Sequence, residues 1–103
     1  MTEKTLEKPI KEITIDLGTV KYCYGYYQLL IEKLELPDFT SMNNDALYDF
    51  LAEPLEADTV VKFINYSSTG KDVKETLPKT LKMFERVKRF QRSCGCNFSW
   101  TVE

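Results

Sequence analysis

Histidine is absent from the 103 residues, so the side chain that most often serves as a general base near neutral pH is missing. Glycine is scarce as well, at four residues, and they form no GxSxG nucleophile turn, no GxGxxG fingerprint and no phosphate-cradling loop. Cysteine is few and odd in number: Cys23, Cys94 and Cys96 suit reduced thiols rather than a disulfide scaffold. The pair Cys94-Gly95-Cys96 lacks the further ligands that complete a metal site of about four donors. It is expected as two thiols at the start of a buried strand, and no metal or cofactor is expected. No apolar run of about 18 residues occurs, which excludes a membrane-spanning helix. The N-terminus, Met1-Thr2-Glu3-Lys4, is polar and mixed in charge, unlike a signal peptide, so the expected location is the cytoplasm.

What is present fits one globular domain: 43% hydrophobic and 29% charged residues, without repeats or low-complexity segments. The net charge of −2 conceals an asymmetry. Residues 1–58 hold 5 Lys/Arg against 12 Asp/Glu, whereas residues 59–103 hold 9 against 4. An acidic half attracts basic partners and a basic half attracts nucleic acid, so each segment has to be read locally.

Residues 1–11 read as a flexible tail, and the domain is expected over 12–103. Glu12 to Leu17 alternates polar and apolar residues, the pattern of a strand that Gly18 ends. Tyr26, Leu29, Leu30 and Leu34 give a helical face over about Tyr24 to Glu35, closed by Leu36-Pro37. Asn43 or Asn44 can cap a second helix, Asp45 to Ala52, which Pro54 stops. Thr59 to Ile64 is nearly continuous in apolar character, as expected of a strand covered on both faces. A turn at Ser67-Ser68-Thr69-Gly70 precedes a long helix, predicted from about Leu77 to Arg92 with Thr76 as cap and Pro78 in its first turn. Its other face carries Lys79, Lys82, Arg86, Lys88, Arg89 and Arg92. Gly95 then turns the chain into a last strand, Cys96 to Val102. The order β-α-α-β-α-β predicts an α/β fold, a small three-stranded parallel sheet packed with helices.

Asp45 and Asp49, four residues apart, share one helical face. They could form a carboxylate dyad, or simply a solvated surface in which Asp45 favours the positive end of the helix. The basic helix could neutralise phosphates, but Asp72, Glu75 and Glu85 interrupt it, and a solvated face accounts for the same pattern. The most informative stretch runs from Leu36 to Leu51. A loop bearing Phe39 leads into a short helix that presents Asp45, Tyr48 and Asp49 together, combining aromatic rings with convergent negative charge.

The pattern Leu-Pro-acidic-aromatic followed by Asn-x-Asp-Ala-Leu-aromatic-Asp-x-Leu, here Leu36 to Leu51, resembles the signature of the barstar family of ribonuclease inhibitors. A looser likeness extends over residues 12–103. The resemblance implies a non-enzymatic immunity protein whose loop and second helix enter the basic active site of a ribonuclease. Asp49 would take the place of a substrate phosphate, with Asp45 as a second carboxylate, Phe39 and Tyr48 as aromatic contacts and Asn43 as a polar one. Thr40 stands in the family's aromatic pair, Ser41 where glycine is usual, and Tyr48 where tryptophan is usual. Arg86, with Glu85 beside it, falls where the family has an acidic contact. The implied partner is a secreted ribonuclease or the nuclease toxin domain of a bacterial competition system, met by an inhibitor that is monomeric when free. A non-nuclease partner for the same fold, or weak nucleic-acid binding through the helix 77–92, are the alternative readings.

Overall fold

The computed structural model describes residues 9–103. Along the chain run β1 (Ile10–Asp16), α1 (Cys23–Lys33), α2 (Asn44–Leu51), β2 (Asp58–Ile64), a short 3-10 turn (Tyr66–Ser68), α3 (Lys71–Ser93) and β3 (Phe98–Val102). The three strands are parallel in the order β1-β2-β3, with Ile13 beside Val61 and Val61 beside Trp100. This is the α/β architecture expected from the sequence. β1 starts at Ile10 rather than Glu12, because Ile10 and Lys11 already pair with Asp58 and Thr59. The rest of the expected tail, residues 1–8, lies outside the described residues.

The strand order steps in one direction, and right-handed crossovers then put every helix over the same face. Burial agrees. Ile13, Ile15, Val61, Phe63 and Phe98 are buried, whereas Glu12, Thr14, Lys62, Ser99 and Thr101 on the opposite face are exposed. The expectation that β2 is covered on both faces is therefore corrected: Val60 and Ile64 are only half-buried. Their β-branched side chains suit a strand wherever it lies, and that preference produced the continuous apolar run. The terminal strand is likewise not a buried one. Beyond Phe98 and the half-buried Trp100 it is exposed, and the two cysteines precede it, Cys94 exposed and Cys96 buried with its thiol 3.0 Å from the Leu55 carbonyl.

The core is built around Phe84 of α3. It stacks on Phe63 at 6.1 Å and meets Phe98 edge-on at 5.1 Å and Trp100 at 5.6 Å. Such offset and edge contacts match the ring quadrupoles while removing large apolar areas from water.

α1 ends two residues earlier than predicted. Glu35 takes a left-handed conformation (φ 59°), and the Leu36 N–H returns to the Ile31 carbonyl at 2.9 Å. An ion pair from Lys11 supports the turn and holds the Glu35 carboxyl below its ordinary value. α3 starts six residues earlier than predicted, at Lys71, with Gly70 as N-cap. A Cβ at Gly70 would lie 2.1 Å from the Lys21 carbonyl oxygen, so only glycine allows this approach. The Gly70 N–H and the Thr69 hydroxyl both donate to the Val20 carbonyl, at 2.9 and 2.7 Å. Pro78 consequently lies inside the helix, on its exposed side, where water can take the carbonyl that its ring leaves without an N–H.

Candidate functional site

The segment 37–51 is shaped by local hydrogen bonds. The Thr40 N–H and hydroxyl both donate to the Pro37 carbonyl, at 3.0 and 2.6 Å, closing a tight turn. Thr40 is thereby buried, and Phe39 is turned out, 80% exposed and edge-on to Phe50 at 6.1 Å. Thr40, expected at the binding surface, instead holds the loop from inside. Asn43 adopts extended backbone, and its side-chain oxygen accepts the Ala46 N–H at 2.8 Å, so of the two caps the sequence allows for α2, Asn43 and Asn44, the first is used.

α2 turns Leu47 and Leu51 into the core and leaves Asp45 and Asp49 exposed one turn apart, with Tyr48 half-buried beside them. Among the described residues neither carboxylate has an ion pair; the surface pairs there are Lys11 with Glu35 and Lys62 with Glu103. Two negative charges without an ion pair thus stand exposed on α2, which also carries Tyr48 and, through Phe50, meets the Phe39 ring. Nor do Asp45 and Asp49 line the surface groove along α1, whose walls include Gln28, Leu29, Glu32 and Met42, so they do not form an enclosed acid–base dyad.

From α3, the Arg86 guanidinium lies 4.0 Å from the centre of the Tyr48 ring. That distance is well within cation–π range. Glu85, its neighbour, is exposed, and its carboxylate makes no hydrogen bond or ion pair among the described residues. The basic run on α3 is not one uniform face. Lys79, Lys82, Arg86, Arg89 and Arg92 are exposed, while Lys88 is half-buried with its ammonium 5.8 Å from the Trp100 ring centre.

Two polar anchors hold α2 on α3, and sequence reasoning missed both. At the N-terminal end, the Tyr26 hydroxyl donates to the Thr80 hydroxyl at 2.7 Å, which donates to the Asn44 side-chain oxygen at 2.9 Å. At the other end, Gln91 is wholly buried. Its amide N–H groups reach the Leu51 and Glu53 carbonyls at 2.9 and 2.7 Å, and its oxygen accepts the Leu55 N–H at 3.1 Å. The Leu51 carbonyl and the Leu55 N–H are the pair a continuing helix would have joined. Gln91 stands between them where Pro54 stops the helix. The signal was in the sequence: Leu77, Thr80, Phe84, Val87 and Gln91 follow helical spacing, so Thr80 and Gln91 fall inside the apolar stripe, where a polar side chain needs a partner.

No helix of the described residues is long and apolar enough to cross a membrane. The family model described as Barstar (barnase inhibitor) matches residues 10–103. No curated protein matches the chain.

Proposed function

The chain belongs to the barstar family, whose members are ribonuclease inhibitors rather than enzymes, and from that premise we propose that it blocks a ribonuclease by filling its active site with α2 and the preceding loop. The observation that carries this reading is the pair Asp45 and Asp49, exposed, without ion pairs among the described residues, and fixed on a helix anchored at both ends. A cleft built to hold RNA phosphate presents cations, and a carboxylate held among them makes strong charge-assisted hydrogen bonds. Anchoring α2 before binding lowers the ordering cost that a flexible loop would incur on association. Phe39 and Tyr48 supply apolar area, and Asn43 keeps the helix start in place. The protein acts as a cytoplasmic monomer when free, and its target is a secreted ribonuclease or a nuclease toxin domain with a basic active site.

The test is titration of the protein against barnase, the nuclease in the family's description, following hydrolysis of a fluorogenic RNA. Hydrolysis is expected to fall, and Asp49→Ala to weaken inhibition at least about thirtyfold, chiefly through faster dissociation, as for a hot spot of about 2 kcal/mol. Asp45→Ala, Phe39→Ala and Tyr48→Ala are expected to cost less, and Lys71→Ala almost nothing. A folded Asp49→Ala protein that inhibits as well as the parent would place the inhibitory surface elsewhere.

A further inference from the structure

We propose that Arg86 selects among nucleases: it sets a positive charge at the α3 edge of the acidic α2 surface, which favours a partner bearing an Asp or Glu on the rim of its basic cleft and disfavours a partner whose rim is basic throughout. The inference rests on the inhibitory role proposed for α2.

Arg86 is placed for this by geometry. Its guanidinium lies on the Tyr48 ring, 4.0 Å from the centroid, and Tyr48 is three residues from Asp45 and one from Asp49 on α2. Neighbours three apart on a helix are about 5–6 Å from each other, so cation and carboxylates fall within one contact surface. Yet Arg86 is exposed and makes no ion pair among the described residues. A cation–π contact uses no hydrogen bond, and the Arg86 side chain donates none among the described residues, so its N–H fork stays open to a carboxylate in a two-pronged contact. Lys82 and Arg89, four and three residues away along α3, are exposed on the same flank and reinforce the positive edge. Acid on α2 and base on α3 therefore meet at Tyr48. Like charges brought together at an interface suppress the wrong partner, whereas a complementary pair fixes register and raises the association rate.

Barnase serves as the probe of a phosphate-binding cleft, with binding to the parent, Arg86→Gln, Arg86→Glu, Lys71→Glu and the double variant Asp49→Ala/Arg86→Glu measured at low and physiological salt. Arg86→Glu is expected to bind about tenfold or more tightly than the parent, with Arg86→Gln between them and the gain larger at low salt. Lys71→Glu changes the net charge equally but stands at the start of α3, and is expected to alter binding less than about threefold. If Arg86 only props Tyr48 in place, both Arg86 variants bind more weakly than the parent, and the proposal is wrong. A gain for Arg86→Glu no greater than for Lys71→Glu overturns it too. These failures leave the α2 reading standing so long as Asp49→Ala still weakens the Arg86→Glu protein. Binding indifferent to Asp49, or no binding by any variant at 100 µM, refutes the α2 reading and this inference with it.

Discussion

Gln91→Leu retains most of the side-chain volume and removes the amide that joins α3 to the end of α2. Three backbone groups lose their partner: the Leu51 and Glu53 carbonyls and the Leu55 N–H. The bond to Leu51 is buried, so that carbonyl bears the cost of an unsatisfied buried group, about 1–3 kcal/mol. The other two bonds are partly buried, and water can restore much of each, leaving about 0.5 kcal/mol apiece. The expected loss is about 3 kcal/mol, a large share of the roughly 5–15 kcal/mol that holds a domain together. For a domain of this size it lowers the melting temperature by roughly 12 °C. Urea denaturation followed by circular dichroism measures the loss, and amide exchange at Leu55 locates it. A Gln91→Leu protein within about 1 kcal/mol of the parent, with Leu55 still protected, would show that the end of α2 is held by apolar packing alone.

Burial, only partly offset by the hydrogen bond to Thr80, holds the Tyr26 hydroxyl well above its ordinary value of 10.0. The fold thus keeps a proton that the unfolded chain releases near pH 10, and the stability this contributes is intact below that pH and falls as pH rises toward the folded value. Tyr26→Phe is expected to cost about 1 kcal/mol at neutral pH and to flatten the alkaline decline, and urea midpoints between pH 7 and about 11 would refute this if the two proteins lost stability in parallel. The exposed cations of α3 are expected not to retain RNA at physiological salt. A gel shift showing salt-sensitive micromolar binding, abolished by charge reversal at Lys82, Arg86 and Arg89, would favour nucleic acid as a partner.

Much of the site was legible because it depends on local chemistry. Asn43 caps, Pro37 and Pro54 bracket α2, and the spacing of Leu47 and Leu51 decides that Asp45 and Asp49 face outward. What escaped depends on contacts distant in sequence. Gly70 starts α3 because of Lys21, a neighbour 49 positions earlier, so helical periodicity alone placed the start at Leu77. Thr40 looked like a surface contact because its inward hydrogen bond to Pro37 is a matter of loop geometry rather than of residue type. Val60 and Ile64 suggested a sheet with two covered faces, and only the strand order shows that all the helices share one.

The parallel topology also fixes when the chain can work. Ile10 pairs with Asp58 and Thr59 with Phe98, so each strand pairing closes a loop of about forty residues or more, at a cost in chain entropy of roughly 3 kcal/mol before other contacts return it. α2 is synthesised between β1 and β2, but its anchors Thr80 and Gln91 come later. At about 5–20 residues per second, Gln91 is made roughly 2–8 s after Leu51. During that interval an eight-residue helix, too short to be stable alone, has nothing to dock against. Asp45 and Asp49 are encoded in the first half of the chain, yet the surface they form becomes usable only once the last helix has folded over the sheet.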